Sequence, residues 1–112
     1  MNPNVALFQG LYFLVSGVWP IIHIASFLKI TGPKIDLWLV KTVGVLLSVI
    51  GAVLLCAGVM DQITTSIFYL GIGSAAGLTA IEIIYVSKKV ISPIYLLDAV
   101  IEIILMIWWI LL

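Results

Sequence analysis

The stretch "LWLVKTVGVLLSVIGAVLLCAGVM", residues 37–60, carries a single charged side chain, that of Lys41. An α-helix needs about 20 predominantly apolar residues to cross the hydrocarbon core of a bilayer, so this stretch predicts a transmembrane helix. The composition of the whole chain agrees. Of its 112 residues 64% are hydrophobic and 9% are charged, whereas soluble domains carry about 25% charged residues. We therefore predict a single integral membrane domain over residues 1–112.

Three further apolar runs accompany this one, at roughly 5–30, 63–86 and 93–112. The polar segments between the runs are short: "KITGPKID", "DQ" and "SKKVISP". Short connections oblige consecutive helices to lie beside each other in opposite directions. The pattern predicts an all-α membrane protein with four transmembrane helices in an up-down-up-down bundle.

The lysines orient this bundle, because cytoplasmic loops of membrane proteins carry an excess of Lys and Arg. All five basic residues are lysines, and they flank the first and third loops, whereas the second loop and both ends have none. We expect the first and third loops in the cytoplasm and both termini on the periplasmic or extracellular side. The net charge is zero and no basic face exists, which excludes a nucleic-acid partner.

Each predicted helix carries a stripe of polar or small residues at alternating spacings of three and four, which places them on one face. Small residues let helix backbones approach, and polar side chains form hydrogen bonds across the interface. We interpret the Gly, Ala and Ser positions as packing contacts, and the apolar opposite faces as lipid-facing. The stripes are Gln9, Tyr12, Ser16, Trp19, His23 and Ser26; Lys41, Gly44, Ser48, Gly51, Leu55 and Gly58; Gly71, Ala75, Thr79, Glu82 and Tyr85; and Tyr95, Asp98, Glu102, Leu105 and Trp109.

The ionisable residues on these stripes form the candidate site, because ionisable side chains inside a membrane usually mark function. Counted from the predicted cytoplasmic boundary at about 1.5 Å per residue, they lie roughly 8 to 15 Å deep, with Glu102 deepest. A charged side chain at a helix centre costs about 2.5–3.5 kcal/mol, so these groups should face the bundle interior. The site residues are His23, Lys41, Glu82, Asp98 and Glu102, supported by Ser16, Ser26, Thr79 and Tyr95.

The charges of this set do not balance. Three carboxylates outnumber Lys41, even with His23 protonated, so at least one carboxylate should be protonated or neutralised by a cation. Glu102 is the expected proton carrier, and Asp98 the expected structural anchor or cation ligand. The acids and His23 are spread over three predicted helices without the close spacing of metal ligands, so we predict no metal and no cofactor.

Two stretches carry a resemblance to a known family: "WPIIHIASFLKITGPKIDLWLVKTVG" (19–44) and "YVSKKVISPIYLLDAVIE" (85–102). With their WPxxHxxSFxxxTGPKxDxWLVxTVG and ISPxYLLDAxxE patterns they resemble an uncharacterised bacterial family of small four-helix integral membrane proteins. The resemblance covers about two fifths of the chain. It implies a bacterial inner membrane as the location and implies no activity.

Three classes of function fit these observations. The protein could bind or transport a proton, a cation or a small molecule at the buried cluster. It could instead be an accessory or structural membrane subunit whose buried charges set helix packing. A membrane-embedded enzyme that uses His23 and a carboxylate on a lipid-like substrate is less favoured, since no nucleophile motif accompanies them. Membrane lipid is the expected partner, and a second copy of the chain or another membrane protein remains open.

Overall fold

The structure is a computed structural model that describes residues 3–111, all of whose regular elements are helices. Three of the helices are long and apolar enough to cross a membrane: α1, α3 and α4. Helix α5 has 17 residues and a length of about 26 Å at 1.5 Å per residue. The helices are α1 (Pro3–Ile22), α2 (Ile24–Thr31), α3 (Leu37–Val59), α4 (Thr65–Ser87) and α5 (Tyr95–Leu111).

The first apolar run is not one continuous helix, which corrects the expected span 5–30. Helix α1 ends at Ile22, and α2 begins after His23, whose backbone has φ −141° and ψ 75°. Pro20 has no N–H and weakens the last turn of α1. The His23 ring then caps α2, because its Nδ1 accepts a hydrogen bond from the Ser26 N–H at 3.1 Å. The other three runs match α3, α4 and α5 to within two residues where described; Met1, Asn2 and Leu112, which the predicted domain includes, lie outside the described residues.

The tightest helix packing joins α1 to α3 through pairs of glycines. A Cβ added at Gly17 would lie 2.5 Å from the carbonyl oxygen of Gly44, and one added at Gly51 would lie 2.6 Å from that of Gly10. Any larger residue would therefore push the two backbones apart. The packing interpretation is confirmed for Gly44 and Gly51. The α1 face that carries Gly10, Phe13 and Gly17 is buried as well, although the predicted α1 stripe did not include it.

A second pair of helices, α4 and α5, is joined to α1 by the side chain of Gln9. Gly71 leaves room for the Trp109 ring, which would lie 2.5 Å from an added Cβ. The indole N–H of Trp109 donates to Gln9 Oε1 at 2.6 Å, and Gln9 Nε2 donates to the Gly71 carbonyl at 2.9 Å. Gln9 is completely buried. These contacts close one end of the molecule beside a hydrophobic core that contains Val5, Ala6, Leu54, Leu105 and Trp109.

Candidate functional site

The other end of the molecule, next to the segments 32–36 and 88–94, contains a cavity of about 370 Å³. This volume lies in the range of about 300–1,000 Å³ that is usual for small-molecule sites. Three carboxyl groups line it: Glu82 from α4, and Asp98 and Glu102 from α5. Much of the remaining wall is aromatic and is made by Tyr12, Phe13, Trp19, Phe27 and Tyr95. The cavity therefore combines acidic groups with ring faces, both of which attract positive charge.

The two glutamates are buried, and three of their four carboxyl oxygens have no hydrogen-bond partner among residues 3–111. Glu102 is 0% exposed, and neither of its carboxyl oxygens has a hydrogen-bond partner among the described residues. Glu82 is 5% exposed, and its Oε1 has no partner there either. An ionised carboxylate in such a place is strongly unfavourable unless a cation or hydrogen-bond donors compensate it. Each glutamate is therefore stabilised if it binds a proton or lies next to a positive charge.

Asp98 has two hydrogen-bond partners in the chain, Tyr12 and Glu82. The hydroxyl of Tyr12 donates a hydrogen bond to Asp98 Oδ1, which links α1 to α5. Asp98 is only half-buried, and it interacts electrostatically with both Glu82 and Glu102. The three acids thus form one electrostatic group. Tyr12 was absent from the predicted site, although its spacing with Ser16 in the α1 stripe was the signal that could have found it.

The predicted supporting residues divide into two groups. Ser16 and Tyr95 line the cavity with the acids. Thr79 is buried but does not line it, because its hydroxyl donates to the Ala75 carbonyl of the same helix at 2.8 Å. Ser26 lies outside as well and accepts from the indole N–H of Trp19 at 2.9 Å.

His23 and Lys41 do not join the acids, which corrects the expected five-residue cluster. Both side chains are exposed and neither lines the cavity. The His23 ring caps α2, and its Nδ1 lies 2.7 Å from the hydroxyl oxygen of Ser26. Helix capping alone therefore explains why these two side chains lie close together. Lys41 lies one turn before Gly44 on α3. Gly44 packs against the C-terminal end of α1, so α1 does not extend as far as Lys41. The break after Ile22 therefore removes the helix that was expected opposite Lys41.

The cation at the cavity is instead Lys34, which the sequence pattern did not indicate. Its Nζ donates to Thr31 Oγ1 at 2.9 Å, to the Gly32 carbonyl at 3.2 Å and to the Thr31 carbonyl at 3.4 Å. The same atom lies 5.2 Å from the ring centroid of Phe27 and 5.1 Å from that of Tyr95. Both distances are within the roughly 6 Å at which an ammonium group is attracted to a ring face.

The arrangement has the chemistry of a site for positive charge. Residues 3–111 contain no group of three or more His, Cys, Asp and Glu side chains that could hold a metal ion. Three acids and one lysine line the cavity, so the lining carries two excess negative charges when all four groups are ionised. Comparisons with protein-family models, curated proteins and solved structures found no match to this chain.

Proposed function

We propose that this protein binds a cation, either a proton or a small positively charged molecule, at Glu82, Asp98 and Glu102, and that it serves as a small membrane binding or transport protein. The observation that carries the proposal is a pair of buried glutamates beside a cavity: among residues 3–111, neither carboxyl oxygen of Glu102 and only one of Glu82 has a hydrogen-bond partner. A closed structural network would satisfy such groups with donors from the chain. A site that takes up positive charge would leave them available.

The proposed setting is the inner membrane of a bacterium, with α5 and the residues before it as a fourth span. The bundle then runs up-down-up-down, with both termini outside. Lysines beside the segments 32–36 and 88–94 support a cytoplasmic position for these loops. The sequence patterns of residues 19–44 and 85–102, which no family model matches, are the basis for proposing a bacterial membrane. The cavity would then open near the cytoplasmic face.

A structural role is the second candidate, and one observation favours it. The contacts of Tyr12 with Asp98 and of Gln9 with Trp109 both cross between helices that are distant in sequence. Buried polar groups of this kind can fix the order of helices. Such a role accounts for Gln9, Asp98 and the Glu82 that is hydrogen-bonded to Asp98, but it leaves Glu102, which has no partner among residues 3–111, without a role. We therefore favour binding.

Calorimetric and thermal-shift titrations of the purified protein in lipid nanodiscs test this proposal. The titrants are NaCl, KCl, MgCl₂ and tetramethylammonium chloride, each at several pH values. We expect at least one cation, or the proton, to raise the unfolding temperature of the wild-type protein. Glu82→Gln and Glu102→Gln should each abolish this response, because the neutral amide no longer attracts positive charge.

Asp36→Asn is the matched control. Asp36 is exposed and makes no side-chain capping bond to α3, so the response should be unchanged. A wild-type protein that responds to no cation and to no change of pH would contradict the proposal and favour the structural role.

A further inference from the structure

The Lys34 ammonium group sits in a site that is complete in itself. Two rings from different helices, Phe27 of α2 and Tyr95 of α5, lie at nearly equal distances from Nζ, and oxygens of Thr31 and Gly32 accept hydrogen bonds from it. Phe27, Thr31 and Tyr95 also line the cavity that contains the three carboxyl groups, and so does Lys34. Gly32 does not line it. This part of the cavity therefore already accommodates an alkylammonium group, one that is tethered to the chain.

We propose that the cavity binds a lipophilic organic cation, an amine or quaternary ammonium with an apolar or aromatic substituent, and that Lys34 competes with it for the Phe27–Tyr95 ring pair. The inference rests on the proposed function and specifies its ligand. The ligand enters as the Lys34 side chain leaves the rings, and its positive nitrogen replaces the ammonium or moves on to the three acids.

The composition of the wall favours an organic cation over an inorganic one. Hard metal cations need about six to eight oxygen ligands at short distances, and no suitable group of acids exists in residues 3–111. The lining apart from the acids is largely ring faces and aliphatic side chains such as Val43, Leu47 and Leu78. Aromatic walls are the usual recognition surface for quaternary ammonium groups, whose charge is spread over methyl groups.

The contacts of Lys34 allow it to move. It belongs to the segment between α2 and α3. Its hydrogen bonds within the described chain go to Thr31, three residues away, and to Gly32, two residues away. None of these acceptors is a carboxylate, so the ammonium gives up no ion pair when it leaves. Its four-carbon stem is flexible and can carry the charge toward water while the backbone stays in place.

Titration calorimetry of the full chain in lipid nanodiscs tests the ligand class. The probe is benzyltrimethylammonium, and its control is neopentylbenzene, which has the same shape with a neutral carbon in place of the nitrogen. The same titrations of empty nanodiscs remove the heat of partition into lipid. We expect the cation to bind at least about tenfold more tightly than the neutral compound, as charge and ring contacts require. Equal affinity of the two compounds would overturn the proposal.

Variants of Lys34 test the competition. Lys34→Gln should bind benzyltrimethylammonium roughly 5- to 30-fold more tightly, since no resident ammonium has to leave two rings. Lys34→Arg keeps a charge at the rings and should show no gain. Unchanged or weaker binding by Lys34→Gln would refute the competitive role. Should Lys34→Gln fail to fold, Tyr95→Leu against Tyr95→Phe tests the ring site itself, because only the first removes a ring and should weaken binding; equal binding by the two would refute the ring site and with it the competition.

The two proposals fail in different ways. If the wild-type protein responds to Na⁺, K⁺ or protons but not to benzyltrimethylammonium, the organic ligand is wrong and the proposed function stands. If no cation binds and Glu102→Gln changes nothing, the proposed function is wrong, and this inference with it.

Discussion

Glu102→Gln is the substitution that most directly separates a charge-binding cavity from a packing interface. Glu102 is fully buried and both of its oxygens lack partners within the described chain. Bringing an ionised carboxylate into such a place costs several kcal/mol after relaxation. Leaving a neutral carboxyl without its hydrogen bonds costs only about 1–3 kcal/mol. Without a bound cation, the protonated form is therefore the stable one.

The amide of Gln has the size and shape of a protonated carboxyl, so the substitution mimics that form. We expect the free energy of unfolding in detergent to change by less than about 1 kcal/mol, as for other swaps that conserve volume. Infrared spectroscopy of the wild-type protein at neutral pH should show the C=O stretch of a protonated carboxylic acid. That band should be lost or reduced in Glu102→Gln, and cation binding should be lost with it.

Asp98→Asn is the matched control for this experiment. Asp98 is less buried and accepts a hydrogen bond from Tyr12, which the amide oxygen of Asn can still accept. The Glu102 band should therefore persist in Asp98→Asn. A wild-type protein with no protonated carboxyl band at neutral pH in cation-free buffer would refute the reasoning, because all three acids would then be ionised and compensated by other means.

Three further predictions concern the scaffold and its orientation. Gly17→Ala should lower the free energy of unfolding by about 1–3 kcal/mol through overpacking. Gly77→Ala should leave this free energy unchanged or raise it, because nothing lies within 4 Å of the added Cβ. Chemical denaturation of both variants measures the difference. Gln9→Leu should lower it by about 1–3 kcal/mol in the same assay, because a buried indole N–H loses its acceptor. Cysteines introduced at Lys88 and Gln62 should react with impermeant reagents from the cytoplasm and from outside, respectively, and the reverse pattern would contradict the proposed orientation.

The helices and their interior stripes could be predicted from the sequence because they depend on local periodicity. The α4 stripe is the clearest example, since Gly71, Ala75, Thr79 and Glu82 are the four buried residues of that helix. Hydropathy located the apolar runs for the same reason, and three helices long enough to span a membrane are observed. The carboxyl groups of α4 and α5 also share a cavity as their stripes suggested.

The rest depended on features that periodicity does not carry. Hydropathy is uniform across residues 5–30, so it gave no sign that the cap formed by His23 would divide the run. Phe13 lay outside the predicted α1 stripe, and it is buried because Gly10 and Gly17 bring α3 against that side of α1. Lys34 reaches the cavity only because its segment folds back toward α5. Each case turns on a non-local contact or a backbone break.

These non-local features also explain why a cavity exists in so small a protein. The glycine pairs hold α1 against α3, Gln9 joins α1 to α4 and α5 at the far end, and at the cavity itself the hydrogen bond of Tyr12 to Asp98 links α1 to α5. Toward the segments 32–36 and 88–94, α1 stops at Ile22, so no continuous helix fills the space that the acids of α4 and α5 border. A side chain such as Lys34 can enter there from a loop. The break after Ile22 that separates His23 from the acids thus leaves the space beside them in which we propose that a positively charged ligand binds.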